Sequence, residues 1–190
     1  MRKSLNSREI ALSAGLAAIS AIVQLVHLGY QSPQWGMWID VVAVSWLVAY
    51  FLFGTRSAFL VSLMGGLIIT LFAPETWLGA VMKWVATLPM WFSLYIWMKF
   101  RKKDISSYQK IRELVAPLVF ALVIRTVLML PLNYYFAIPI WTGMTTQQAI
   151  STIPWYIISI FNSIQGIFDV ILAWLVVFHF RIYRFASWRK

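Results

Sequence analysis

Long runs of apolar residues constrain this chain more than any other feature of its sequence. A helix needs about 20 apolar residues to cross the hydrocarbon core of a bilayer, and segments rich in Gly, Pro and polar residues divide this sequence into six candidate runs. The runs cover residues 10–30, 38–53, 57–72, 80–100, 114–136 and 153–180. They predict an all-α, polytopic membrane protein with six transmembrane helices, in which residues 1–190 form a single integral membrane domain.

The composition supports the same class of protein. Hydrophobic residues make up 61% of the chain and charged residues only 12%, whereas soluble domains are about 45–50% apolar and about 25% charged. A water-soluble globule is therefore excluded. The absence of cysteine also excludes disulfides, thiolate metal sites and cysteine nucleophiles.

The basic residues predict how the helices are oriented. Fourteen of the 16 lysines and arginines fall on one side of the six-span arrangement. They are Arg2, Lys3, Arg8, Arg56, Lys99, Arg101, Lys102, Lys103, Lys110, Arg112, Arg181, Arg184, Arg189 and Lys190. Since basic residues favour the cytoplasmic side, we expect a multi-pass plasma-membrane protein with both termini in the cytoplasm. The net charge of +10 is then an orientation signal beside anionic lipid, and no nucleic-acid partner is expected.

Apart from Lys99 at the cytoplasmic end of the fourth span, four charged residues lie within the predicted spans. Such groups are costly in a membrane and usually face the interior of a bundle or a cavity. Arg125 and Asp169 fall at similar depth near the middle of the bilayer, which predicts a structural ion pair. Lys83 and Asp40 fall in the outer half; they either pair with each other or meet a polar ligand, and the sequence leaves both open.

Six of the 11 tryptophans fall at the predicted outer ends of the spans or in the outer loops. They are Trp35, Trp38, Trp77, Trp84, Trp141 and Trp155. Tryptophan favours the membrane interface, but a cluster also suits a wall against which a flat ligand stacks. We expect a belt for most of them, with Trp38 and Trp84 as the candidate stacking walls.

Small residues recur at helical spacing along the first span. Ala14 and Ala18 form one pair four residues apart, and Ala17 and Ala21 form another. Such stripes allow another helix to approach closely in lipid. Spacing alone leaves open whether that helix belongs to this bundle or to a partner.

Motifs for catalysis and for ATP use are absent from the sequence. It contains no G-x-x-x-x-G-K-[ST] phosphate loop, no H-E-x-x-H zinc motif and no G-x-S-x-G elbow. We therefore expect a protein that is not an enzyme, binds no metal or cofactor and does not use ATP itself.

Four stretches resemble the substrate-binding S component of energy-coupling factor (ECF) vitamin transporters, most closely the riboflavin-binding family. In chain order they are WIDVVAVSWLVAYFLFGTRSAFLVSLMGGLI, GAVMKWVATLPMWF, RTVLMLPLNYYFAIPIW and IFNSIQGIFDVILAWLV. The third contains the family's L-N-Y, and the fourth resembles its P-F-N-x-I-K-G. With the alanine-rich first span, the likeness covers most of the chain in order.

The resemblance implies a subunit that captures a vitamin, most closely riboflavin, with high affinity from outside the cell. Bound riboflavin would be a transported ligand rather than a cofactor. Its implied partners are a membrane-embedded T component and two cytoplasmic ATPases, with the stripe Ala14, Ala17, Ala18 and Ala21 as the surface that docks on the T component. Asn133 and Asn162 match family asparagines that hydrogen-bond the vitamin.

Three positions depart from the family pattern. Gln165 replaces a lysine, Lys83 replaces an asparagine, and Ile160 replaces a proline. We include Gln165, Lys83 and Asp40 among the predicted ligand-binding residues, and these departures leave the identity of the vitamin open.

Two other functions remain alternatives. One is a stand-alone facilitator or channel, which needs a continuous polar path. The other is a small membrane enzyme built on an outer cluster of Asp40, Lys83 and Glu75. The loop QSPQWG between the first two spans contains Pro33 and Gly36 and is a candidate lid over an outer pocket.

Overall fold

A computed structural model of the chain describes residues 7–26, 28–72 and 77–188, and every structural statement below concerns these residues. All six predicted runs form helices. The main helices are α1 (Ser7–Leu25), α2 (Val42–Phe53), α3 (Thr55–Phe72), α4 (Trp77–Phe100), α5 (Arg112–Leu132) and α8 (Trp155–Trp174). The connections contain strands β1 (Gly29–Gln31) and β2 (Trp38–Asp40) and the short helices α6 (Ile138–Thr142) and α7 (Thr146–Thr152).

Three helices among the described residues are long and apolar enough to cross a membrane. They are Ser7–Leu25, Arg112–Thr142 and Trp155–His179, and Val42–Phe53 and Thr55–Leu71 are shorter apolar helices. The fourth predicted span forms the 24-residue α4, which contains Lys83 and Lys99. The helices alternate in direction along the chain, so that their connections fall at two opposite ends of the bundle.

Helix α2 is the centre of the bundle. It packs against α1, α3, α4 and α8, and ten of its 12 residues are buried. Its sequence VAVSWLVAYFLF is apolar on all sides, which is the pattern of a helix surrounded by protein rather than one with a solvent-facing stripe.

Close packing between helices explains Gly65, the first glycine of the pair in α3. A Cβ at Gly65 would overlap the hydroxyl oxygen of Ser20 on α1 and would lie 3.1 Å from the indole nitrogen of Trp46 on α2. The third predicted span forms one continuous helix, which the glycine pair does not interrupt. Gly65 instead allows α1, α2 and α3 to approach one another closely.

The two ends of the bundle differ in chemistry. One end carries the basic residues that lie outside the predicted spans, as far as the structure describes them. The same end contains a cluster of aromatic rings from Phe51, Tyr108, Phe178 and Trp188. Hydrogen bonds from indole nitrogens fix this end: Trp174 donates to the Tyr108 carbonyl at 2.7 Å and Trp188 to the Phe51 carbonyl at 2.9 Å. Burial raises the pKa of the Tyr108 hydroxyl, which donates to the Leu94 carbonyl.

At the opposite end the structure corrects the predicted limits of the first two spans. Residues 29–31 and 38–40 form an antiparallel hairpin in which Tyr30 pairs with Ile39, rather than the end of one helix and the start of the next. A Cβ at Gly29 would overlap the Ile39 carbonyl oxygen, so glycine permits the strands to approach. The QSPQWG segment contains the tip of this hairpin, where Gly36 has a positive φ of 64°.

The connector between the fifth and sixth predicted spans contains regular structure. Residues 137–152 include the short helices α6 and α7. Helix α7 begins with a capping box, in which the Thr145 hydroxyl accepts from the Gln148 backbone N–H and the Gln148 side chain accepts from the Thr145 N–H.

Candidate ligand cavity

A cavity of about 630 Å³ opens at the hairpin end of the bundle, a volume within the usual range for small-molecule sites. The hairpin, the end of α1, the beginnings of α2, α4 and α8, and the end of α5 enclose it. Six of the predicted ligand-binding residues line it: Trp38, Asp40, Lys83, Asn133, Asn162 and Gln165. Side chains from four separate stretches of the chain thus converge on one cavity.

Trp84, the seventh predicted ligand-binding residue, is not among the residues that line the cavity. Its indole nitrogen donates to the Ser62 hydroxyl on α3 at 3.1 Å, and its ring meets Phe59 edge-on. One residue from Lys83, it lies about 100° further around α4, which points it towards α3. The prediction of Trp84 as a stacking wall is corrected.

Lys83 and Asp40 form an ion pair at the cavity wall. The other carboxylate oxygen of Asp40 accepts from the backbone N–H of Val42 at 2.9 Å, at the first turn of α2. Of the two alternatives that the sequence left open, the structure shows the pair, although both side chains also line the cavity.

Gln165 connects the hairpin to α8 through its side-chain amide. Its oxygen accepts from the Asp40 backbone N–H at 2.9 Å, and its nitrogen donates to the Asp40 carbonyl at 2.9 Å and to the Asp169 carboxylate at 2.7 Å. Both amide hydrogens are therefore used within the protein. This arrangement makes Gln165 a support for the cavity wall more than a free partner for a ligand.

Asn162, Gln165 and Asp169 occupy one face of α8 because their spacings of three and four residues return to the same side of a helix. Asn162 accepts from the Nε of Arg125 at 3.2 Å, and one of its amide hydrogens goes to the Ile158 carbonyl. The Arg125 Nη1 lies 3.8 Å from an Asp169 oxygen. The structure thus places Arg125 and Asp169 together, as the predicted ion pair requires, and it also places Arg125 in the cavity wall.

Asn133 reaches the cavity through a local change in helix geometry. Residues Asn133–Ala137 form a π-helical turn directly after α5, two residues beyond Pro131, which has no backbone N–H to donate. Widened turns of this kind are frequent at functional sites. The Asn133 amide donates to the Met129 carbonyl at 2.8 Å.

Aromatic rings supply much of the remaining wall. Trp35, Trp38 and Trp141 line the cavity together with Phe161, whereas Trp77 and Trp155 are exposed on the outside of the bundle. Of the six outer tryptophans, three thus line the cavity, two are exposed, and Trp84 packs against α3. Phe161 was not among the ligand-binding residues predicted from the sequence. Its position next to Asn162 is the only sequence signal for its role.

The small-residue stripe on α1 also divides into two faces. Ala17 and Ala21 are only 3% and 4% exposed and pack against α2 and α3, whereas Ala14 and Ala18 are exposed. The four alanines span about 100° of the helix surface, and the face of α1 that packs in the bundle includes Ala17 and Ala21 but not Ala14 and Ala18. The prediction of a docking surface is corrected for Ala17 and Ala21, which belong to the bundle.

The described residues contain no group of three or more His, Cys, Asp or Glu side chains that could hold a metal ion. Glu75, the third member of the candidate enzymatic cluster, lies outside the described residues.

In comparisons with known proteins, no family model and no curated protein matches the chain in sequence. A solved structure does match its fold. The S component of a bacterial ECF transporter superposes with a TM-score of 0.72 over 93% of this chain and 96% of that chain, at 22% identity. The chain therefore has the fold of an ECF S component, which is a helical membrane protein, and the predicted fold class is confirmed.

Proposed function

We propose that this protein is the substrate-capture subunit of an ECF-type importer for a vitamin-like small molecule. The observation that carries the proposal is a cavity of ligand size within the S-component fold, bordered by a hairpin and lined by aromatic and apolar side chains with a few converging polar groups. The matching structure is named as a transporter component, which also supports a function in transport rather than catalysis.

The charge distribution supports capture from outside. The cavity lies at the end of the bundle opposite Arg8, Arg56, Lys99, Arg112 and Arg181, which stand at or beside the other ends of the helices. By the positive-inside rule that other end, with both termini, faces the cytoplasm. The hairpin and the cavity then face the exterior, where a nutrient arrives.

Energy for release must come from partners, because the sequence has no phosphate loop. We propose a membrane-embedded T component and two ATPase subunits in that role. The exposed small residues Ala14 and Ala18 on α1 are the proposed docking face, since a flat helix surface permits close helix–helix contact in lipid.

A flavin is the candidate substrate, with riboflavin first. The cavity offers three tryptophan rings for stacking and amide groups for hydrogen bonds. A bound flavin would colour the purified protein yellow, so an absorbance scan tests this part of the proposal. A colourless preparation that retains another molecule would contradict riboflavin and leave the capture function standing.

Asn162→Ala is expected to weaken ligand binding by about tenfold or more, because it removes both an amide donor in the cavity wall and the acceptor that orients Arg125. Titration of the retained ligand into the purified, ligand-free protein measures the change. Ser159→Ala is the matched control, since Ser159 lies one turn earlier on α8 and its hydroxyl bonds only its own helix, to the Trp155 carbonyl. Equal affinities for the two variants would contradict this map of the site.

A further inference from the structure

Arg125 has hydrogen-bonding capacity that the described residues do not use. Its side chain is only 4% exposed and lines the cavity. Nε donates to Asn162, but Nη1 is buried without a hydrogen-bond partner among the described residues. The nearest carboxylate oxygen, on Asp169, is 3.8 Å away, which is too far for a hydrogen bond. A buried donor without a partner is destabilising.

The charges around the cavity already balance. Lys83 is paired with Asp40, and Arg125 faces Asp169, so that two cations meet two carboxylates among the described residues here. A ligand that brought a carboxylate or phosphate into this site would leave a buried negative charge without compensation, which is strongly unfavourable. An uncharged acceptor would satisfy Arg125 and keep the balance.

Two acceptors are likewise without a donor among the described residues: the Asp169 Oδ2 that faces Nη1, and the side-chain oxygen of Asn133. Asn133 uses an amide hydrogen on the Met129 carbonyl, while no described residue donates to its side-chain oxygen. That oxygen can therefore accept from a ligand N–H. The aromatic rings of Trp38, Trp141 and Phe161 in the same wall favour a planar molecule.

From these observations we infer that Arg125 binds the ligand directly, and that the site selects an uncharged planar heterocycle with a carbonyl or ring-nitrogen acceptor for Arg125 and an N–H donor for Asn133. This inference rests on the proposed capture function. It assigns Arg125 a role beyond the structural ion pair, since Nη1 and the Asp169 oxygen that faces it are 3.8 Å apart and neither has a hydrogen-bond partner among the described residues.

A paired substitution separates the two roles of Arg125. The variant Arg125→Gln/Asp169→Asn removes both charges together, so a purely structural pair is lost without leaving a buried ion. The full-length native and variant proteins are purified in detergent from the same rich medium, and the molecules released on denaturation are quantified by mass spectrometry. We expect a thermal unfolding midpoint close to that of the native protein and about a tenfold or greater loss of retained ligand.

Retention equal to that of the native protein would overturn the assignment of Arg125. If the double variant does not fold, Arg125→Lys decides the question: it keeps the charge opposite Asp169 but loses the planar fork of donors, and the same loss of ligand is expected. Unchanged retention in Arg125→Lys would overturn the inference.

The identity of the molecule released from the native protein tests the charge argument. A molecule that is uncharged at neutral pH supports it, and one that carries a carboxylate or a phosphate overturns it while leaving the capture function intact. If the native protein retains no small molecule, the capture function itself is contradicted and the inference fails with it.

Discussion

Gln165→Leu is expected to destabilise the protein by about 3 kcal/mol or more and to abolish ligand retention. The leucine would leave the backbone N–H and carbonyl of Asp40 and one oxygen of Asp169 without partners. Each unsatisfied buried group costs about 1–3 kcal/mol. Since Asp40 ends β2 and also bonds the beginning of α2, the hairpin would lose its connection to α8.

Denaturant titration of the detergent-solubilised protein measures the change in the free energy of unfolding. Gln147→Leu is the matched control, because Gln147 is an exposed glutamine on α7 and its replacement should leave stability nearly unchanged. If both variants are equally stable, the hydrogen bonds of Gln165 contribute nothing measurable, and its description as the support of the cavity wall is wrong.

Arg125→Met is expected to have the second large effect, a loss of about 3–5 kcal/mol of unfolding free energy. The substitution leaves the carboxylate of Asp169, which is fully buried, without the cation that faces it. Adding Asp169→Asn removes the uncompensated charge and should recover most of the loss. The free energies of unfolding of the native protein, the single variant and the double variant test whether Arg125 compensates the charge of Asp169.

The opposite pattern would contradict the description of Arg125 and Asp169 as mutually compensating. In that case the single variant is as stable as the native protein, or the second substitution adds a further loss instead of a recovery.

The sequence predicted the helices because the constraint behind them is local. An apolar run of transmembrane length favours a helix whatever packs against it, and all six runs form helices. The position of Asn162, Gln165 and Asp169 on one face of α8 could also be predicted, because they are spaced three and four residues apart. The proximity of Arg125 and Asp169 could be predicted because both lie near the middle of their spans and therefore at similar depth in the bilayer.

Other features depended on contacts that no local pattern contains. Trp84 points towards Ser62 rather than the cavity, and only the placement of α3 decides this. Gln165 resembled a free ligand-binding amide until its three partners were known. Ala17 and Ala21 carry the same small-residue signal as Ala14 and Ala18, and the position of α2 alone separates the buried pair from the exposed one.

Uptake into proteoliposomes tests the central claim, that this chain captures a substrate and cannot complete transport alone. The molecule retained by the purified protein is supplied outside vesicles that contain the protein either alone or with a T component and ATPases. We expect tight binding in both cases, and accumulation only with the partners and ATP. Full-rate uptake by the protein alone, without ATP, would contradict it and would favour a stand-alone facilitator.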